Sequence, residues 1–185
     1  MTRFGYVLVT VLAAELFAGL FIAVAILDPL PRFIWNASAS APIGLYTLHR
    51  TDDPPIGALV AVAPPAPLAG WLAERHYLPK NVPLLKHVVA TAGQRVCRTS
   101  SMITVAGQIV GKARERDSRG RALPVWKGCR TLRTGELFLM NPAVPDSLDG
   151  RYFGPLPAST LLGRATPMLT RDVPGASLRW RGFQP

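Results

Sequence analysis

The 185-residue chain has few of the residues from which metal sites are built. It contains two cysteines and three histidines. His49, His76 and His87 are not arranged as His-Glu-x-x-His, and the cysteines do not form a Cys-x-x-Cys pair, so neither has the spacing of a metal site. We therefore expect no metal and no other cofactor.

Acidic residues are also scarce: eleven aspartates and glutamates face 21 lysines and arginines, which gives a formal net charge of +10. The basic residues form no groove-reading motif, no basic helix and no patch interleaved with aromatics, so we expect no nucleic-acid partner. About half of them lie in residues 86–133, a segment broken by glycine and proline. We interpret this segment as a solvated basic surface near anionic lipid headgroups.

A long apolar run is present at residues 4–27, with Glu15 as its one charged residue. The run is long enough to cross the hydrocarbon core of a bilayer as a single helix. Because Arg3 precedes it, the positive-inside bias places residues 1–3 in the cytoplasm and the rest of the chain on the outer side, although Arg32 weakens that bias. Three roles for Glu15 stay open: it faces a partner helix, it is protonated, or it reaches toward the headgroups.

Eighteen prolines and sixteen glycines argue against a helical bundle and are typical of short strands and turns. The spacing in "PLAGWLAERHYL" predicts a short surface helix, and "ARERDSRGRALPVWKGC" is predicted to be an exposed loop. Strands are predicted in "GLYTLHR", "ALVAVAPP", "PLLKHVVA", the hairpin "SMITVAGQIVGKA", "GELFLMNPA" and "LLGRATPML". The prediction is a mainly β fold: a transmembrane helix, an antiparallel β domain over residues 28–170, and a loosely ordered tail over residues 171–185.

The stretch "NASASAPIGLY" that begins at Asn36 has two opposite interpretations. Its small-x-small triplets are typical of sites that a signal peptidase cuts, while Ser40 could itself be a nucleophile. A cleavable signal peptide has an apolar core of roughly 7–15 residues with the cut close behind it. Here the run is longer and the triplets lie about ten residues beyond it, so cleavage is the weaker interpretation. The serines of a simple turn are a further alternative.

A serine nucleophile needs a base, and the chain has no Gly-x-Ser-x-Gly elbow of the kind that pairs serine with histidine. The alternative base is a lysine whose pKa is lowered by burial. Lys86 suits this role because it lies in the apolar strand "VPLLKHVVA", whereas the other lysines adjoin turn or charged residues. On pattern alone, a single lysine in a strand more often extends its amine to water.

Three segments in order resemble the conserved boxes of the signal peptidase I clan: "SASAPIGLY", "LLKHVVATAGQRVC" and "GELFLMNPAVPDSLDGRYFGPLP". Within that clan they most resemble the TraF-type maturation peptidases of conjugative transfer systems. The features of that subgroup are the Ser-x-Pro-x-Gly-Leu-Tyr form, the cysteine after "GQRV", and the segments "GRALPVWKGC" and "DGRYFGP". The resemblance extends from the apolar helix to about Pro167.

This resemblance implies a β domain of signal peptidase I type and a Ser/Lys serine endopeptidase. Ser40 matches the nucleophile, Lys86 the general base, and Ser38 the side chain that donates to the oxyanion. Ser147 matches the serine that holds the lysine amine. If the resemblance were set aside, Ser38 and Ser40 would be ordinary turn residues.

Two charged residues complete the implied site. Asp149 and Arg151 match a charge pair that shapes it, and in TraF-type enzymes an aspartate of this box is implicated in joining the ends of the processed pilin into a ring. A plain β-turn is the alternative for Asp149. Because Cys97 and Cys129 lie on the outer, oxidising side of the predicted membrane, we also expect one disulfide between them.

The resemblance further implies a single-pass protein of the bacterial inner membrane with its catalytic domain in the periplasm. The expected substrate is a pilin precursor or another secreted protein, with the conjugation machinery as a possible partner. The alternatives are a general signal peptidase for exported proteins and a catalytically silent, anchored subunit of a type IV secretion system. Departures from general signal peptidases favour the specialised subgroup: Ala92-Gly93-Gln94 replaces Pro-Gly-Asp, Gly57-Ala58 replaces Gly-Asp, and Gly150 replaces a serine.

Overall fold

The computed structural model describes residues 2–27 and 31–182, which divide into two compact units before and after residue 31. The first unit is helix α1 (Arg3–Leu27). Its mean hydropathy reaches 2.5, none of its side chains is buried within the protein, and at 25 residues it is longer than the roughly 20 that a bilayer requires. The helix is therefore a candidate membrane anchor or signal sequence. The domain boundary predicted after residue 27 falls on residues outside the described ones.

The second unit is built mainly from short antiparallel strands. In chain order its strands are β1 (Phe33–Asn36), β2 (Ile43–His49), β3 (Leu59–Val62), β4 (Leu84–Ala90), β5 (Arg95–Thr99), β6 (Met102–Val105), β7 (Gln108–Lys112), β8 (Gly128–Thr131), β9 (Glu136–Met140), β10 (Leu156–Pro157), β11 (Leu161–Arg171) and β12 (Arg179–Trp180). Two helices accompany them, α2 (Ala66–Glu74) and α3 (Gly150–Phe153). The predicted mainly β fold is confirmed.

The strands form two sheets. The larger has the order β1-β2-β11-β3-β4-β9-β10, with β12 paired to β11, and the smaller has the order β7-β6-β5-β8. All the strand pairs in the described residues are antiparallel. Two consecutive hairpins, β5–β6 and β6–β7, form most of the smaller sheet, and β8 returns to pair with β5. In the larger sheet, β11 returns from late in the chain to lie between β2 and β3.

Strand β9 contributes to the cores of both sheets. Leu137 and Leu139 pack in the cluster that includes α2, while Phe138 and Met140 pack with the buried side chains of the smaller sheet. Successive side chains of a strand point to opposite faces, so a strand buried on both faces reads as a continuous apolar run. This explains why "ELFLM" shows no alternation in the sequence.

Most of the predicted elements are present, including the surface helix α2 and the β6–β7 hairpin, in which Gly107 adopts a φ of +83°. The segment predicted to be an exposed loop differs: Ala113 and Leu123 are buried against Tyr152. The tail also differs, because β12 pairs with β11 through Leu169 and Trp180. Ala113 and Leu123 are covered by Tyr152, a residue distant in the chain, and β12 is only two residues long, so local pattern reveals neither feature.

The predicted disulfide between Cys97 and Cys129 is confirmed. The two cysteines lie directly opposite each other on β5 and β8, with their Cα atoms 4.0 Å apart. The bond joins residues 32 apart in the sequence and encloses the β6–β7 hairpin and residues 113–128, which we call the charged segment. It therefore restricts the unfolded chain around the whole smaller sheet.

Replacing both cysteines by serine should lower the free energy of unfolding by about 3–4 kcal/mol, the value that chain entropy gives for a loop of this length. Urea unfolding of the full-length protein in detergent would measure the change. The wild-type protein in excess reductant is the matched control and should unfold at the same urea concentration as the double variant. Unchanged stability in both samples would contradict the prediction.

Candidate active site

Asn36, the last residue of β1, organises the loop that carries Ser38 and Ser40. Its buried side-chain amide donates to the carbonyl oxygens of Ser38, Ala41 and Pro42 at 2.9–3.0 Å. Its carbonyl oxygen accepts from the backbone N–H and the hydroxyl of Ser38, both at 3.1 Å. One side chain therefore contacts polar groups at both ends of a loop that belongs to neither strand. The sequence analysis missed this residue.

The far end of the loop is held by the start of β2. The hydroxyl of buried Tyr46 donates to the carbonyl of Pro42 at 2.6 Å, and burial raises the pKa of this tyrosine to about 12, so it remains a donor. Gly44 has a φ of +148°, and a Cβ there would lie 2.0 Å from the carbonyl oxygen of Leu169 on β11. The Pro-x-Gly-Leu-Tyr sequence thus allows the end of the loop and the start of β2 to pack closely against β11.

Strand β4 places Lys86 against this loop. Its Nζ lies 3.1 Å from the Oγ of Ser40, and Ser38 Oγ lies 3.0 Å from the same Ser40 oxygen. The lysine is 3% exposed. Burial lowers its pKa to about 8; the carboxylate of Asp149 partly opposes this shift, and the Arg151 guanidinium adds to it. At neutral pH a usable fraction of this amine is therefore unprotonated, unlike that of a solvated lysine.

Asp149 and Arg151 form a fully buried ion pair of 2.8 Å, and both side chains are essentially sealed from solvent. Asp149 also caps α3 by accepting from the backbone N–H of Arg151. The guanidinium spans the loop that precedes α3, donating to the carbonyl oxygens of Asn141, Val144, Pro145 and Ser147. The pair therefore fixes the backbone of the loop over the lysine.

Ser147 lies in this loop and lines the same cavity as Lys86. It is 2% exposed, and its hydroxyl has no hydrogen-bond partner among the described residues. A buried, unpaired hydroxyl is costly. Ser147 and Lys86 share one cavity lining, but their side chains form no hydrogen bond with each other.

Asn141, directly after β9, is a second residue that the sequence analysis missed. Its amide nitrogen donates to the carbonyl oxygens of Ser40, at 2.5 Å, and Leu85, at 3.0 Å. Its backbone N–H donates to Asp149 at 3.0 Å. Asn141 thus links the serine loop, the lysine strand and the buried ion pair. Nothing in the sequence pattern distinguishes it from an ordinary strand-ending asparagine.

Gly150 explains one departure from general signal peptidases. A Cβ at this position would lie 2.7 Å from the carbonyl oxygen of Leu139 and 2.8 Å from the ring of Phe138. Trp126, from the charged segment, donates its indole N–H to the Gly150 carbonyl at 3.0 Å. The close approach of α3 to β9 therefore requires glycine in this chain.

Two cavities flank Ser40 and share Ala39, Ser40 and Val144 in their linings. The smaller, about 380 Å³, contains the site residues Ser38, Lys86 and Ser147. The larger, about 720 Å³, is lined mainly by apolar residues and includes the polar side chains of His87, Asn141 and Asp172. Neither lining includes Asp149. Within residues 2–27 and 31–182, no group of three histidines, cysteines or acidic residues is placed to hold a metal ion.

This combination of serine, buried lysine and β-sheet scaffold agrees with the sequence matches. The family described as "Signal peptidase, peptidase S26" matches residues 3–169. The chain belongs to this peptidase family. A solved signal peptidase I from Enterococcus faecalis V583 is 16% identical to this chain, with a TM-score of 0.37. The match covers 62% of this chain and 97% of that one.

The chain is also similar in sequence to several conjugal transfer proteins. The chain is 37% identical to the probable conjugal transfer protein TraF of Sinorhizobium fredii, over 73% of this chain and 76% of that protein. It is also 37% identical to the conjugal transfer protein TraF of Agrobacterium fabrum, over 74% and 82%. Identity to a plasmid transfer protein TraF of Escherichia coli is 31%, over 73% and 81%. These matches confirm the resemblance to the TraF group.

Replacing Arg151 by methionine should lower the free energy of unfolding by about 3–5 kcal/mol, because it leaves the Asp149 carboxylate buried without a partner. The matched control is Arg114→Met, which removes the ion pair of Arg114 with Asp146, a pair exposed on both sides. That control should cost no more than about 1 kcal/mol. Thermal unfolding of both variants would measure the difference, and equal losses would contradict the assignment.

Proposed function

We propose that this member of the signal peptidase family is a membrane-anchored serine endopeptidase with Ser40 as nucleophile and Lys86 as general base. The observation that carries the proposal is the 3.1 Å separation of Lys86 Nζ from Ser40 Oγ, with the lysine buried. A serine hydroxyl is a weak nucleophile until an adjacent base accepts its proton. An amine whose pKa lies near 8 can do so close to neutral pH.

In the first half of the reaction, Ser40 Oγ attacks the carbonyl carbon of the scissile bond while its proton passes to Lys86 Nζ. The tetrahedral intermediate then collapses: the C–N bond breaks, Lys86 protonates the leaving nitrogen, and an ester to Ser40 remains. In the second half, Lys86 takes a proton from the attacking water. The C–O bond to Ser40 breaks, the acid product leaves, and Ser40 recovers its proton.

The oxyanion of the intermediate requires donors placed where the negative charge develops. We assign this role to the backbone N–H of Ser40 and the hydroxyl of Ser38, which lies 3.0 Å from the nucleophile. In the free enzyme the Ser38 hydroxyl lies 3.1 Å from Asn36 Oδ1. It would rotate toward the oxyanion when substrate binds, while Asn36 keeps the loop in place.

Three further residues support the reacting pair. Ser147 would accept a hydrogen bond from the lysine amine and so fix its direction. Asp149 and Arg151 act as positioning residues, because both are buried and Asp149 lines neither cavity. A role for Asp149 in ring closure would therefore act through Arg151 and Asn141, and not by contact with the pilin.

The relatives' names support a place in conjugative transfer, with a pilin precursor as the substrate. Helix α1 would anchor the protein in the bacterial inner membrane, with residues 1–3 in the cytoplasm. Residues 28–170 would form the periplasmic peptidase domain, followed by the tail at 171–185. The enzyme would remove a leader or terminal segment of the precursor, and the pilin's own amine could replace water in the second half-reaction and close a ring.

Because Lys86 must be neutral to act, activity should rise with pH, about tenfold per unit below pH 8, and level off above it. The rate rises with pH because protonation of Lys86 below its pKa of about 8 removes the lone pair that accepts the serine proton. Initial rates of peptide cleavage between pH 5.5 and 9.5 would measure the profile. A rate that falls as pH rises through 8 would contradict the assignment.

The identity of the pair is tested by co-expressing the cognate pilin precursor with wild type, Ser40→Ala and Lys86→Ala and measuring intact mass. Only wild type should process the precursor, and a product one water lighter than the linear peptide would identify ring closure. Ser159→Ala and Lys80→Ala, both at exposed positions, are the matched controls and should retain processing. Processing by folded Ser40→Ala or Lys86→Ala would mean that other residues perform the chemistry.

A further inference from the structure

The larger cavity is not used by the mechanism above, although it begins at the nucleophile. It is about 720 Å³, against about 380 Å³ for the cavity that holds Lys86, and it extends from Ser40 along the β4 residues His87–Val89. Val110 and the exposed Ile56 add apolar walls. An apolar cavity with few polar groups, adjoining a nucleophile, is typical of a ligand subsite.

Hydrogen bonding in this cavity fixes the tautomer of His87. Asn141 Nδ2 faces two carbonyl oxygens, those of Ser40 and Leu85, so this end of the amide must be the nitrogen. Asn141 Oδ1 then lies 2.9 Å from His87 Nδ1 and can only accept, which requires Nδ1 to carry the proton. In the neutral ring Nε2 is therefore an acceptor, and it has no partner among the described residues.

We propose that the larger cavity is the subsite for the amine-bearing segment of the substrate, with His87 Nε2 as its polar contact. The inference rests on the proposed serine–lysine function. The smaller cavity, beside Lys86, suits the small side chains on the acyl side of the cut. The larger one then receives the segment beyond the scissile bond, whose side chains can be bulky and apolar.

The same subsite would serve cleavage and ring closure, because aminolysis of the ester is the reverse of its formation. In cleavage the segment leaves this cavity as a free amine. In ring closure an amine enters it and attacks the ester carbon: the new C–N bond forms, the C–O bond to Ser40 breaks, and Lys86 passes the amine's proton to the serine oxygen. His87 holds the amine-bearing backbone by accepting one N–H bond.

The subsite can be tested separately from the catalytic pair by using an acyl donor that lacks the amine-bearing segment. An acetylated Ala-x-Ala methyl ester would acylate Ser40 in the full-length protein in detergent. Added dipeptide amides with a free amino terminus then compete with water for the acyl-enzyme. Mass spectrometry gives the ratio of amide to acid product, and this ratio counts only molecules that have acylated.

With wild type, the ratio should saturate with Leu-Leu-amide and stay at least tenfold lower with Asn-Asn-amide, which is polar but has no charge for the Asp172 carboxylate in the lining to repel. Val110→Asn, inside the cavity, should lower the Leu-Leu-amide ratio about tenfold. Ile109→Asn, on the neighbouring exposed residue of β7, is the matched control and should leave it unchanged. His87→Phe should lower the ratio, while His87→Gln, which keeps an acceptor, should restore most of it.

A ratio that rises linearly with amine concentration, or is equal in the Val110 and Ile109 variants, would overturn the subsite. Equal ratios for His87→Phe and wild type would overturn the role of the histidine. If the ester did not acylate Ser40 in wild type, the proposed function would fail, and this inference with it. Acylation without amine selectivity would leave the proposed function standing and remove only the subsite.

Discussion

The burial of one amine, that of Lys86, is the constraint on which the rest of the site depends. Strand β4, which carries Lys86, lies inside the larger sheet between β3 and β9. The lysine side chain is therefore buried and does not reach bulk water. Desolvation of the charged form costs enough to lower the pKa of the lysine to about 8. The packing of the sheet therefore lowers the pKa of the amine that we propose as the general base.

The proposed base also requires Ser40 to be held close to it, and Asn36 and Asn141 hold the loop that carries this serine. Asn36 donates hydrogen bonds to three carbonyl oxygens of the loop that carries Ser40. Asn141 donates to the carbonyl oxygens of Ser40 and of Leu85 on β4 and so links the loop to the lysine strand. Behind them the buried Asp149–Arg151 pair fixes the loop between β9 and α3. Buried polar networks of this kind stabilise one geometry because each unsatisfied member would be costly.

The specialised features of the chain surround this shared centre. Gly150 allows α3 to lie against Phe138 and Leu139, and Trp126 from the charged segment completes the contact. The disulfide holds that segment to β5. These features lie on α3 and in the loop that the disulfide closes.

By itself the sequence determined the apolar helix, most of the strands and the disulfide, because these follow from hydrophobic pattern, turn residues and the two cysteines. The boxes identified Ser40 and Lys86 through resemblance, whereas pattern alone left Lys86 as a lysine that could extend to water. Only the tertiary structure decided that this lysine is buried, that Asn36 and Asn141 hold the serine loop, and that Asp149 is sealed from both cavities. It also placed β1 and β12, two short strands that the hydrophobic pattern did not predict. Burial and long-range hydrogen bonds, such as that from Asn141 to the Ser40 carbonyl, join residues far apart in the chain. Local spacing in the sequence therefore cannot predict these contacts.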